Sequence, residues 1–122
     1  MAKEYLDRLS DLMADIASNL STTANLEIKH FFSGAAVYAD GRICITLTPA
    51  GFALKLPAGL RDELMAQEGT KHLQYFPEAP IKKDYVVLPQ RMLDDRDTFC
   101  FWVDKSIEYV LTLPQPKKKV SG

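Results

Sequence analysis

The side chains in this chain that could do chemistry are two histidines, two cysteines and a group of carboxylates, and their spacing decides what they can do. Neither His30 nor His72 has a cysteine, a histidine or a carboxylate at the spacing of a metal ligand. His30 falls on the apolar face of a predicted strand, where a hydrogen-bonded core or edge histidine is more common than a catalytic one. The sequence therefore predicts no metal and no cofactor.

The acidic cluster Asp94, Asp95 and Asp97 has the residue types of a paired-carboxylate or ion site. It stands directly before an amphipathic segment, however, where carboxylates cap a helix N-terminus and complement the helix dipole. The sequence also has no nucleophile motif of the G-x-S-x-G kind and no glycine-rich phosphate loop. We therefore expect no catalytic residues and a protein that is not an enzyme.

The cysteines and the hydropathy pattern indicate the compartment. Cys44 and Cys100 lie far apart in apolar contexts, which favours reduced buried thiols over a disulfide framework. No apolar run approaches the roughly 20 residues of a transmembrane helix. The N-terminal segment MAKEYLDRLSDLM carries too many charges for a secretory signal. These features predict a cytoplasmic protein without membrane contact.

Size and charge limit the domain count and the partners. The 122 residues, 47% of them hydrophobic, suit one domain, which we expect over residues 1–113, followed by a flexible tail over residues 114–122. Lys and Arg number 15 against 16 Asp and Glu, so the net charge of −1 disfavours broad nucleic-acid binding. The tail concentrates Lys117, Lys118 and Lys119, which are typical of a solvated terminus but could also act as a basic tether.

The hydrophobic periodicity predicts a helix and then a strand meander in the first half of the chain. Over residues 3–20, apolar residues recur at spacings of three and four, which is typical of an amphipathic helix: Leu6, Leu9, Met13, Ile16 and Leu20. Strands are predicted over residues 26–32, 35–39, 42–48 and 52–56. Asp40-Gly41 predicts a tight two-residue hairpin, and Pro49-Ala50-Gly51 predicts a second turn.

The second half predicts a short helix, two strands and a closing helix. The short helix begins at Pro57 and ends near Gly69, and strands follow over residues 72–76 and 85–88. The closing helix has an apolar face formed by Phe99, Trp102, Val103, Ile107 and Val110. The order α-β-β-β-β-α-β-β-α indicates an α+β fold of two layers, in which a mostly antiparallel sheet carries the helices on one face.

The aromatic residues raise the question of a base-stacking platform. Such a platform needs interleaved basic residues, and Lys29, Arg42, Lys55 and Lys71 are scattered in the sequence, so core packing is the better explanation. Phe99 and Phe101 cannot share one helical face. We therefore predict that one of these two, or Trp102, is left exposed for a partner, with Phe101 and Trp102 as the candidate partner-binding residues, and a second copy of the chain is the simplest partner.

Three motifs give this chain a family resemblance. They are the aromatic-Gly-Tyr-Asp-Gly order of the meander (Phe32, Gly34, Tyr38, Asp40, Gly41), the segment Tyr85-Val86-Val87-Leu88-Pro89, and Leu93-Asp94-Asp95 before a helix that contains Trp102. Over roughly residues 5–112 the chain resembles the N-terminal domain of the TfoX (Sxy) family. The resemblance implies a two-layer α/β fold, no catalytic residues, and a regulatory role in bacterial competence. It also implies a stand-alone domain, because the C-terminal helical domain of longer regulators is not in this sequence.

These observations support one leading hypothesis and two alternatives. The leading hypothesis is a non-enzymatic bacterial regulatory module that acts through protein contacts, as a homodimer in its simplest form. The first alternative is a nucleic-acid-associated regulator that uses the Lys117 to Lys119 tail and a local basic face. The second alternative is a small ligand-binding protein or enzyme, which would need a pocket joining His30, Arg42 and Tyr38.

Overall fold

The computed structural model describes residues 3–114 and has the predicted α+β fold. The helices are α1 (Lys3–Ile16), α2 (Ala58–Met65), α3 (Gln90–Asp94) and α4 (Arg96–Leu111), and a 3₁₀ turn covers Ala17–Asn19. The strands are β1 (Leu26–Phe31), β2 (Gly34–Ala39), β3 (Arg42–Thr48), β4 (Gly51–Lys55), β5 (Lys71–Leu73) and β6 (Lys82–Leu88). Every neighbouring pair is antiparallel, and the strand order is β1-β2-β3-β4-β6-β5.

The turn chemistry of the meander confirms the predicted hairpins. Asp40 and Gly41 both have positive φ, 50° and 85°, as the two central residues of a tight hairpin require. Gly51 opens β4 at φ 115°, a conformation that a glycine adopts without steric cost. These turns connect β2, β3 and β4, whose side chains alternate between two sheet faces except at a bulge, where the register shifts between Val37 and Tyr38. Because of this bulge, Cys44 joins Ile45 in the main core, although strict alternation had placed the two on opposite faces.

Several predicted boundaries were wrong, and one of them is the start of β6, which lies at Lys82 rather than at Tyr85. Phe32 does not end β1 but lies in the β1–β2 turn at φ 49°. The strand predicted over residues 72–76 is reduced to Lys71–Leu73, because the pairing with β6 shifts between His72 and Leu73 and residues 74–81 leave the sheet as a loop. The predicted capping role of the acidic cluster is confirmed at Asp95, which is extended and accepts from Thr98 N at the start of α4, whereas the short helix α3 before it was not predicted.

The main core lies between one sheet face and the four helices. Helix α1 contributes Leu9, Met13 and Ile16 because the three-and-four spacing places them on one stripe. The sheet contributes alternate residues, and α4 covers β3 and β4 with Phe99, whose ring packs on Phe52 at 5.2 Å between centroids. Both cysteines are free and buried, as predicted. No helix within residues 3–114 is long and apolar enough to cross a membrane.

One buried carboxylate joins α4 to the segment between α1 and β1. Asp104 on α4 accepts hydrogen bonds from the backbone N–H groups and the hydroxyls of Ser21 and Thr22, at 2.6 to 3.1 Å. Burial by itself raises the pKa of Asp104, but these hydrogen bonds to the ionised carboxylate outweigh burial and lower the pKa below its usual value. The segment between α1 and β1 is therefore fixed to α4 by a charged group.

Candidate binding surfaces

An apolar groove of about 410 Å³ lies where three loops meet at one end of the sheet. The β1–β2 turn supplies Phe32, the β3–β4 turn supplies Pro49, and the β5–β6 loop supplies Tyr75, Phe76 and Pro80. We call this the aromatic groove. Its volume lies within the range of ordinary ligand sites, and its lining is mostly apolar.

Two phenylalanines on the aromatic groove are unusually exposed. Phe32 is 76% exposed and Phe76 is 61% exposed. Phe32 contacts the ring of Phe31 at 4.4 Å and meets the edge of Tyr75 at 5.7 Å between ring centroids. An apolar ring that is kept in water on a structured turn is available to a partner.

The backbone conformation at Phe32 is also unusual. A bulky residue at φ 49° is a steric outlier, because Cβ approaches neighbouring backbone atoms, and glycine is the usual residue there. Gly34, two residues later, cannot carry a Cβ, since that atom would lie 2.0 Å from Leu47 O. The turn therefore crosses close to β3 and holds the Phe32 ring outward at a local steric cost.

Polar groups are few in and near the aromatic groove. Among the described residues that line the groove, Lys82 is the one with a charged side chain. Burial raises the pKa of Tyr75, and the nearby hydroxyl of Thr46 partly opposes that shift. Thr46 Oγ1 is itself buried and has no hydrogen bond of normal geometry within residues 3–114. The Tyr75 side chain is therefore uncharged. It lines the groove and lies near Thr46, in the middle of the sheet.

The sheet face away from the helices, which we call the open face, carries lysines that are far apart in the sequence. The strand registers align one row across all six strands: Lys29, Ala36, Thr46, Ala53, Val87 and Lys71. Lys55 lies two residues from Ala53 and therefore points to the same side. Small residues thus occupy the middle of the row, and lysines occupy both edges.

Tyrosines accompany two of these lysines. Lys29 Nζ lies 5.1 Å from the ring centroid of Tyr38, and Lys55 Nζ lies 6.0 Å from that of Tyr85. Burial raises the pKa of Tyr85, and the neighbouring Tyr75 hydroxyl adds to the shift. The phenol is therefore neutral, and the charges on this part of the open face are those of the lysines and of Glu27, which lies 3.3 Å from Lys29.

Of the two predicted partner-binding residues on α4, the structure exposes Phe101 and buries Trp102. Phe101 is 48% exposed, its ring meets that of Trp102 edge-on at 5.1 Å, and Lys105 Nζ lies 5.3 Å above it. Trp102 is only 6% exposed and belongs to the main core, as does Phe99. The prediction that Phe99 and Phe101 face different ways is confirmed, and Phe101 is the exposed one. The predicted basic residues Lys117, Lys118 and Lys119 lie outside the described residues.

The residues weighed for a small-molecule pocket do not converge. Tyr38 lies on the open face, whereas Arg42 donates from Nε to Leu113 O, just after α4, at 2.8 Å. His30 is exposed on β1 and pairs with Ala35, near the opposite end of the hairpin. These three side chains form no common site.

Two carboxylates of the acidic cluster make short-range hydrogen bonds, and one of them caps α4, as the position of the cluster in the sequence indicates. Asp95 accepts from Thr98 N at 3.4 Å and from Thr98 Oγ1 at 3.0 Å, and Asp94 accepts from Gln90 at 2.9 Å. Residues 3–114 hold no group of three or more histidine, cysteine or acidic side chains placed to bind a metal.

Comparison with known protein families gives a match. The TfoX N-terminal domain family matches residues 18–110, which is more than half of the 122-residue chain. Neither a comparison with curated proteins nor one with solved structures found a match. The matched segment contains all six strands, the aromatic groove and most of α4.

Proposed function

This chain belongs to the TfoX N-terminal domain family, a family of regulatory type, and from that premise we propose that it is a bacterial regulatory module that acts by binding another protein. The proposal places the module in the cytoplasm, links it to competence, and gives it no catalytic step of its own. The aromatic groove is the surface proposed to meet the partner.

The observation that carries this proposal is the pair of exposed rings at Phe32 and Phe76. Aromatic side chains supply much of the binding energy at protein interfaces, since they bury a large apolar area at a small entropic cost. Phe32 is also held outward at a positive φ, which a glycine would satisfy with less strain. A partner that inserts an apolar side chain between the two rings would bury both of them, and Lys82 at the mouth favours an acidic flank on that partner.

A pull-down from host lysate tests the groove. The baits are the tagged wild type, Phe76→Ser, and Phe101→Ser as the matched control, because Phe101 is also an exposed phenylalanine but lies on α4. After nuclease treatment, we expect a protein that the wild type and Phe101→Ser retain and that Phe76→Ser loses by on the order of tenfold, as for an interface hot spot. Urea unfolding of each bait checks that the fold is intact.

Two results would overturn the groove assignment. One is equal recovery of the partner by Phe76→Ser and the wild type. The other is loss of the partner with Phe101→Ser alone, which would transfer the contact to the exposed face of α4.

A second candidate function is nucleic-acid association, and the row of lysines on the open face favours it. Lys29, Lys55 and Lys71 lie on one sheet face beside partly exposed aromatic rings, as on sheets that bind single strands. The same pull-down separates the two functions. Recovered nucleic acid, or partners that disappear with nuclease and with rising salt, would support this candidate.

A further inference from the structure

The free edge of β1 is a continuous stretch of unpaired backbone. Asp40 N donates to Asn25 O at 2.9 Å, so the residues in phase with Asn25, namely Glu27, Lys29 and Phe31, direct their backbone groups toward β2. The alternate residues Leu26, Ile28 and His30 therefore direct their N–H and C=O groups outward. Within residues 3–114, these outward groups have no hydrogen bond.

The two sheet edges differ in how well they could pair. The β1 edge has six residues, one uninterrupted register with β2, and no proline or bulge. The β5 edge has three residues, and its register with β6 is shifted. Natural edge strands are commonly protected by shortness, bulges, proline or an isolated charge. Of the two edges, β5 has such protection, whereas β1 carries two charges of opposite sign.

We propose that β1 pairs antiparallel with β1 of a second copy, with the two-fold axis at Ile28. In this register Ile28 faces Ile28 of the second copy, and Leu26 faces its His30. The outward backbone groups then form about six hydrogen bonds. The two six-stranded sheets become one continuous sheet, as in pairing by strand addition.

The charges of β1 select this register. With the axis at Ile28, Glu27 lies opposite Lys29 of the second copy, and Lys29 lies opposite its Glu27. An axis at Glu27 would oppose two carboxylates, and an axis at Lys29 would oppose two ammonium groups, both of which are unfavourable. Glu27 and Lys29 are 3.3 Å apart within one strand, so the dimer would join four charges of alternating sign on the open face.

This interface is distinct from the aromatic groove. The groove lies beyond the end of β1, where Phe32 begins the turn, whereas the proposed dimer contact uses the length of the strand. Failure of the dimer would therefore leave the groove proposal intact, and failure of the groove would leave the dimer intact.

Charge reversal tests the proposal. The full chain is studied by sedimentation equilibrium over a range of concentrations, as wild type, as Glu27→Lys, as Lys29→Glu, and as the double variant Glu27→Lys with Lys29→Glu. We expect the wild type to dimerise and each single variant to dimerise on the order of tenfold more weakly, because like charges then face each other twice. The double variant should regain wild-type association, and a mixture of the two single variants should form heterodimers.

The outcomes are decisive because the substituted side chains are exposed and remote from the core. A wild-type chain that stays monomeric at millimolar concentration would overturn the proposal. A dimer that is indifferent to both single reversals would also overturn it, and would indicate another contact. Circular dichroism and urea unfolding establish that all variants are folded.

Discussion

Phe32 is the residue at which local backbone preference and surface exposure conflict most clearly. Its φ of 49° is one that glycine adopts freely and that other residues adopt at a cost of about 1–2 kcal/mol. Contacts of its ring with Phe31 and Tyr75 offset part of that cost, although most of the side chain is exposed to water. The two effects can be separated by substitution.

We predict that Phe32→Gly is more stable than Phe32→Ala by about 1 kcal/mol. Both variants lose the same ring contacts, so the difference between them reports the backbone at this position. The measurement is the free energy of unfolding from urea titration of the two variants.

The neighbouring turn residue Ser33 supplies the control, because its φ is not positive. There the order should reverse, with Ser33→Ala more stable than Ser33→Gly, since glycine loses more chain entropy on folding. The same order at both positions would contradict a steric cost at Phe32.

Among the elements, α4 connects most of the fold. Ser106 Oγ lies 3.0 Å from Cys44 O and 2.8 Å from Lys55 O, so α4 is joined to β3 and to the end of β4. On its other side, Asp104 holds Ser21 and Thr22. The position of α4 therefore depends on hydrogen bonds as well as on its apolar face.

We predict that Asp104→Asn lowers the free energy of unfolding by about 2 kcal/mol at pH 7, because hydrogen bonds to a buried charge are strong and an amide cannot accept all of them. The folded pKa of Asp104 is lowered, so its contribution is complete above the unfolded pKa near 3.9 and is lost as the pH falls below it. Urea titrations of wild type and variant from pH 7 to pH 3 should show the difference shrinking below about pH 4.

An exposed acid on the same helix supplies the control for Asp104. Glu108 pairs with Lys105 at 3.6 Å on the surface, and Glu108→Gln should change stability by less than about 0.5 kcal/mol. A loss at Asp104 as small as that at Glu108 would contradict an anchoring role.

The elements also show which parts of this fold could be predicted from sequence. Asp40-Gly41 and the stripe of α1 depend on neighbours within a few residues, and both were predicted correctly. The end of β5 and the short helix α3 depend on contacts made after the chain has folded, and both were missed, whereas the cap at Asp95 is local and was predicted. Phe101 was identified as a candidate exposed residue because helical spacing is local.

The candidate surfaces were harder to predict because they are assembled from distant segments. The aromatic groove joins three loops, and no single sequence window contains Phe32, Pro49 and Phe76. Lys29 and Lys71 share one row only because β6 inserts between β4 and β5. Such long-range pairing leaves no periodic signal along the chain.

At the level of the whole molecule, the reactivity of the Cys44 thiol measures how often the fold opens. Its thiol is fully buried at the irregular pairing of β2 with β3, and Sγ lies 3.4 Å from Val37 O. Burial raises the pKa of Cys44 to about 12, although the positive charge of Lys55 opposes the shift. The reactive thiolate is therefore scarce at neutral pH, and a reagent also has no direct access to the sulfur.

We predict that alkylation of Cys44 at pH 8, measured by mass spectrometry in a Cys100→Ser background, is at least a thousandfold slower in the folded protein than in urea-unfolded protein. Access requires the helices to leave the sheet, so the labelling rate should rise with denaturant in step with the unfolded fraction, and Asp104→Asn should raise it further. The Cys44→Ser variant is the matched control, because Cys100 keeps 8% of its surface exposed on α4 and should react sooner. Rapid labelling of Cys44 without denaturant would instead show that β3 opens locally, and the open face would then be a mobile surface rather than a fixed platform.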